Sequence, residues 1–148
     1  MYKKILVPID GSEGSSLALQ HLLGMLENQK PEKVMLFHAV IYPTQLESYS
    51  GKMRGPMAQF KEQLLEHGEQ ILNEAKNRIA ERKPGVSVET KLVWGDPKYS
   101  ITTEADEGKY DLLIMGSRGL SGIKSFLMGS VSNHVAQNVK CTIILVKE

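Results

Sequence analysis

The sequence predicts an α/β fold: a single domain over residues 1–148, with a five-stranded parallel sheet in the order 3-2-1-4-5 and helices on both faces. Three observations predict it. Short apolar runs of strand length alternate with longer segments of helical periodicity, giving β-α-β-α-β-α-β-α-β. Several of those runs are continuously apolar, as strands covered on both faces are. Glycine-bearing turns follow the first and fourth runs, and they can cooperate only where strands one and four are neighbours, as they are in that order.

Taken in order, Lys4–Ile9 (KILVPI) is the first strand. Asp10-Gly11-Ser12 breaks it, and Ser12 is placed to N-cap a helix through about Leu26, where Ala18, Leu22 and Met25 recur at helical spacing. Lys33–Val40 (KVMLFHAV) is the second strand, followed by a long loop carrying Pro43, Gly51, Gly55 and Pro56. Phe60, Leu64, Ile71, Ala75 and Ile79 mark one face of a long helix that stops before Pro84-Gly85. Val86–Trp94 is the third strand. Asp96 then caps a helix with Pro97 in its first position and Gly108 as its stop. Leu112–Met115 is the fourth strand, Ser130–Asn138 the last helix with Ser130 as its cap, and Thr142–Val146 (TIILV) the fifth strand.

The bulk numbers exclude several function classes. A net charge of +1 argues against a dedicated nucleic-acid surface. Cys141 is the only cysteine, so no internal disulfide and no cysteine metal cluster can form. The N-terminus reads as a strand rather than a signal peptide, and no apolar stretch approaches membrane-spanning length. A cytoplasmic protein is expected. The four histidines show neither HxxxH nor HExxH spacing, so a zinc site is not expected. His38 reads as a packing residue, His67 as helix surface, and His134 as lying one turn into the last helix. Nothing in the local sequence of Cys141 suggests a reactive thiolate.

Chemistry concentrates in GSRGLSGIKSFLMGSVS, residues 116–132. It is not a Walker A loop, because Ile123 separates Gly122 from Lys124; nor is it a dinucleotide fingerprint, since the first G-x-G is absent. Gly129-Ser130 opens a helix, whose unpaired N–H groups and positive dipole end suit an anion. Ser130 and Ser132 add hydroxyls there, and Arg118 and Lys124 add positive charge. Two readings stand on these residues alone: a phosphate cradle, or a long surface loop with a serine-capped helix. Asp10, at the end of a central strand, caps a turn or meets a ligand. The apolar last strand is predicted at a sheet edge, where pairing into a two-fold dimer is expected.

Gly116-Ser117-Arg118-Gly119, nine residues, then Gly129-Ser130 fits G-x2-G-x9-G-[ST], and the chain thereby resembles the ATP-binding members of the universal stress protein family. ILVPIDGSEGSS, the strand ending His38-Ala39-Val40, the GDP at Gly95–Pro97, DLLIMGSRG and GSVS are similar to the family as well, so the resemblance spans nearly the whole chain. It implies a Rossmann-like, adenine nucleotide alpha hydrolase-like fold, homodimers through the last strand, and ATP with Mg2+ or Mn2+ on its phosphates. By the resemblance, Pro8, Ile9, Val40 and Met115 border the adenine, and Asp10 and Gly116 lie near the ribose. Arg118, Gly119, Gly129, Ser130, Val131 and Ser132 would surround the phosphates. Cys141-Thr142 departs from the proline many relatives place there. A nucleotide-dependent regulatory module with an unknown protein partner is the expected function. The alternatives are a slow ATPase or phosphotransferase and a nucleotide-free structural interaction protein. No residue stands out to orient a hydrolytic water.

Overall fold

A computed structural model of the chain describes residues 1–41, 54–118 and 128–148. Its elements are β1 (Lys4–Pro8), α1 (Glu13–Met25), β2 (Lys33–Val40), α2 (Arg54–Arg82), β3 (Val88–Trp94), α3 (Pro97–Glu107), β4 (Leu112–Gly116), α4 (Ser130–Asn138) and β5 (Thr142–Val146). The five strands form one parallel sheet in the order β3-β2-β1-β4-β5. Sequence and structure agree on this arrangement.

Alternation along each strand splits the core into two layers. On one face, Ile5, Val7, Val34, Leu36, Leu112 and Ile114 pack with Leu19 and Leu22 of α1 and with Leu72 and Ile79 of α2. On the other, Leu6, Met35, Phe37, Leu113 and Met115 meet Ile101 and Ala105 of α3 and Val135 of α4. β4 is buried along its whole length, as a strand with helices on both sides must be. On that second face Tyr110 donates to the buried Glu104 at 3.0 Å, and Lys91 of β3 bonds its other oxygen at 2.5 Å. That network ties α3 to the sheet's outer strand.

Local chemistry explains most element boundaries. Ser12 N-caps α1 through its side chain, and Asp96 caps α3 with Pro97 in the first turn. β3 starts at Val88 rather than Val86, because Val86 N–H donates to Lys83 O and the chain is still turning there. The cap of α4 is Gly129 and not Ser130, which is already the first helical residue. Gly55 and Pro56 belong to α2 rather than to a preceding loop. Proline is tolerated in a first turn because its missing N–H has no intrahelical acceptor.

α2 carries 29 residues and so runs about 43 Å, against about 26 Å for the eight residues of β2. Its C-terminal half supplies Leu72, Ala75 and Ile79 to the core, whereas Phe60 is 42% exposed. The apolar face expected to run from Phe60 to Ile79 is thus a core face only in its second half. The first half projects past the carboxyl ends of the strands and stands beside the space described next.

Candidate functional site

Two strand-to-helix turns meet at the carboxyl edge of the sheet, after the adjacent strands β1 and β4. In the first, Gly11 takes a φ of +81°, a left-handed conformation that glycine adopts without strain. Asp10 Oδ1 accepts the N–H of Ser12 at 2.9 Å, and Ser12 Oγ accepts that of Ser15 at 3.2 Å. Ser15 Oγ donates in turn to Ser12 O at 3.0 Å. This helix start satisfies itself from its own side chains.

The second turn is built differently. Gly129 caps α4 with no side-chain hydrogen bond, and the first intrahelical bond is from Asn133 N–H to Gly129 O at 3.0 Å. The N–H groups of Ser130, Val131 and Ser132 precede that bond and point outward from the helix end. The buried Ser132 turns its hydroxyl inward, within 3.0 Å of Gly116 O and 2.8 Å of Ser117 O, which accept its proton. Ser117 O also accepts Gly129 N–H at 2.8 Å, so one carbonyl anchors both the cap and the third residue of α4. Ser132 therefore offers a ligand its backbone N–H, while its hydroxyl proton holds the helix against β4.

The two turns press against each other through glycine. A Cβ on Gly116 would lie 2.6–2.7 Å from the backbone of Gly14, and one on Gly14 would collide with Arg118 O. Gly116 is thus required by close backbone approach as well as by its position at the site. A Cβ on Gly129, by contrast, would meet Arg118 Cα and Ser117 O at an ordinary 3.5 Å, with φ at −60°.

Above both turns lies a cavity of about 490 Å³. That is a size typical of small-molecule sites, which span about 300–1,000 Å³. Pro8, Ile9 and Asp10 from the end of β1, Val40 from β2, and Met115, Gly116 and Arg118 from the end of β4 line it. Gly129, Ser130, Val131 and Ser132 from the start of α4 complete that set. Eleven of the twelve residues singled out in the sequence therefore share one cavity; Gly119 lies outside the described residues, as do Gly122 and Lys124.

Sequence reasoning missed further walls. Ser12 and Ser15 of the first turn, Leu64, His67 and Ile71 of α2, and Pro97 and Ile101 of α3 also line the cavity. So does His38, which a period of two places on the same side of β2 as Val40; that spacing was the available signal. His38 Nδ1 lies 2.6 Å from Ile9 O. Burial pushes this imidazole below its usual range; the Ile9 hydrogen bond and Asp10 pull it back up, and His67 adds to the lowering. The packing expected of His38 is present, and the cavity contact comes in addition. His134 instead packs edge-to-face on Tyr99, with ring centres 5.1 Å apart. Burial raises the Cys141 thiol above its usual range, which disfavours a reactive thiolate.

The arrangement has two chemically distinct ends. One carries the N–H groups at the start of α4, with Arg118 among the lining residues, a set suited to an anion. The rest of the lining includes the apolar Pro8, Ile9, Val40 and Ile71, together with His38. Among the described residues no group of three or more His, Cys, Asp or Glu side chains could hold a metal ion, and no helix is long and apolar enough to cross a membrane.

Comparison with known proteins gives a consistent picture. Residues 1–147 match the Universal stress protein family. Universal stress protein YxiE of Bacillus subtilis is 33% identical over 150 residues, covering 99% of this chain and 100% of that protein. Universal stress protein MJ0577 of Methanocaldococcus jannaschii is 31% identical over 156 residues, covering 99% and 96% of the two chains. The solved structure of MJ0577 superposes with a TM-score of 0.86 at 28% identity, over 100% of this chain and 97% of that one. A universal stress protein solved in complex with cAMP gives a TM-score of 0.65, also at 28% identity, over 99% and 97%. With a family match along almost its whole length and relatives above 30% identity, this chain belongs to the universal stress protein family.

Proposed function

We propose that the cavity binds ATP, with Mg2+ or Mn2+ on its phosphates, and that the protein acts as a nucleotide-dependent regulatory module in stress response. The observation that carries this reading is Gly129. Neither its φ nor its neighbours demand glycine, yet it caps a helix where serine, threonine or aspartate would satisfy an N–H group. A capping oxygen there would take up an N–H group of the first turn. Its absence leaves three N–H groups free to receive phosphate oxygens, with Arg118 beside them as countercharge. Base and ribose would then lie toward Pro8, Ile9, Asp10, Val40 and Met115. The cAMP complex of a relative supports an adenine nucleotide as the ligand class.

The divalent cation would be held mainly by the phosphates themselves, since the described residues offer no cluster of ligating side chains. Fast turnover is not part of the proposal. Hydrolysis needs a group that orients water at the γ-phosphate. Asp10 is the one carboxylate among the described residues lining the cavity, and it commits one oxygen to Ser12 N–H. At most slow hydrolysis is expected, with output through a protein partner.

Native mass spectrometry of the purified protein tests the reading, together with melting in the presence of ATP–Mg. Bound nucleotide and a raised Tm are expected; ligand at a hundred times its Kd raises stability by about 2.7 kcal/mol. Gly129→Val should remove the shift while the unligated protein stays folded. No shift with ATP, ADP or AMP would overturn the proposal.

We further place a homodimer along β5, whose Ile143, Ile144, Leu145 and Val146 are only partly covered at the sheet edge. Sedimentation showing only monomer at micromolar protein would remove that assignment.

A further inference from the structure

The sheet has two edges, and β3 forms the one away from β5. It is the longer of the two, seven residues against five, and no proline or glycine interrupts it. Its ladder with β2 fixes where its backbone groups point. Val34 N–H donates to Ser87 O and Gly95 N–H to Val40 O, so the odd-numbered residues from 87 to 95 turn their groups toward β2. Val88, Thr90 and Leu92 turn theirs outward, and no hydrogen bond outside that ladder reaches them among the described residues.

Side chains follow the same alternation. Val88, Thr90 and Leu92 share one face, where Val88 and Leu92 pack half-buried on the core and Thr90 is exposed. Glu89 and Lys91 share the other. Glu89 Oε2 takes Lys33 at 2.7 Å, which leaves Oε1, and Lys91 spends one of three ammonium donors on Glu104. Both side chains stay about half exposed, at 55% and 46%.

The run Val88-Glu89-Thr90-Lys91-Leu92 is self-complementary about Thr90. Set antiparallel to itself with Thr90 opposite Thr90, it places Glu89 opposite Lys91 of the second copy and Val88 opposite its Leu92. Outward-facing residues then meet outward-facing residues, as a hydrogen-bonded antiparallel pairing requires. Charges that blunt an edge against association repel a copy of it. Here each charge meets its opposite, and an apolar pair forms on the other face.

We propose that the β3 edge is a docking surface for a second copy of this chain, paired antiparallel across a two-fold axis at Thr90. The interface is distinct from the one placed at β5 and does not depend on a bound ligand. Two isologous edges on one sheet add copies in line, so assembly through both grows with protein concentration.

Disulfide trapping tests the register, on the full chain carrying Cys141→Ser. Facing residues of a hydrogen-bonded antiparallel pair have Cα atoms about 5.5 Å apart, inside the range of about 4.4–6.8 Å that a disulfide spans. Under mild oxidation Thr90→Cys should give a linked dimer roughly tenfold faster than Gln137→Cys, an exposed position on α4, because pairing raises the local thiol concentration. Glu89→Cys and Lys91→Cys should link poorly alone and readily when mixed, since the mixed pair faces across the axis and keeps its second ion pair. Thr90→Cys linking no faster than Gln137→Cys overturns the proposal, and Glu89→Cys linking to itself as fast as to Lys91→Cys overturns the register. Thr90→Lys sets like charges against each other on the axis. Sedimentation should show association at β3 weakened by on the order of tenfold or more, with assembly stopping at the β5 pair. Thr90 is exposed and its backbone groups lie outside the β2 ladder, so both of its substitutions leave the fold intact. Unchanged concentration dependence in Thr90→Lys overturns the proposal, and an unmodified protein that stays monomeric overturns both interfaces.

Discussion

The two turns above the sheet are written in similar letters, GSEGSS after β1 and GSVS at the start of α4, yet they do opposite things. At α1 the side chains of Asp10 and Ser12 consume the N–H groups of Ser12 and Ser15. At α4 the cap is a glycine with no side chain to give, and the nearby Ser132 points its hydroxyl into the protein. One helix start is closed by its own residues and the other is open to the cavity. Serine near a helix N-terminus thus does not by itself make an anion site; what matters is whether its oxygen is spent on the helix, on another strand, or on nothing.

Their glycines differ in the same sense. Gly14 and Gly116 exist for each other, because any Cβ would enter the opposing backbone. Gly129 has ordinary space around it. Substituting each in turn is the strongest way to break this contrast. Gly14→Ala should destabilise the fold by about 2–3 kcal/mol, the upper range for forced overpacking, because the colliding atom is backbone and cannot rotate away. Chemical denaturation reads this directly, and a loss below about 0.5 kcal/mol would mean the turns separate easily. Ser132→Ala should cost about 1–2 kcal/mol by the same measurement, through the lost buried hydrogen bond. It should weaken ATP binding too, since that hydroxyl holds α4 against β4. A stable variant with unchanged affinity would show that the Gly129 N–H bond to Ser117 O is a sufficient anchor. Gly129→Ala should be the mildest for stability, under about 1 kcal/mol, since alanine is only a poorer cap than glycine. Its effect should fall on ligand affinity instead. Loss of stability without loss of affinity would reverse the roles assigned to the two glycines.

Much of the site was legible because it is local. Pro8–Asp10, Met115–Gly116 and Gly129–Ser132 are segments at strand or helix ends, and strand order alone brings those ends together. Ser12 and Asp96 act as the caps their types and positions suggest. Ser130 reads as the cap one residue away from the observed Gly129, because serine caps better than glycine in general and no local signal marks the glycine instead. The α2 wall was not legible either. Leu64 and Ile71 show helical spacing, but whether that spacing faces core or cavity depends on how far the helix overshoots the sheet.

The sequence by itself determined the alternation of strands and helices, their order in the sheet, the edge at which the cavity opens, and most of the residues singled out along its lining. These follow from periodicity of side-chain burial and from turn chemistry, which act over a few residues. Only the tertiary structure decided that Gly14 and Gly116 touch, that Ser132 turns inward, and that the His38 ring bonds Ile9 O through Nδ1. Each of these is a contact between segments far apart in the chain. Its geometry is set by how closely two backbones approach, and no local pattern of residues encodes that distance.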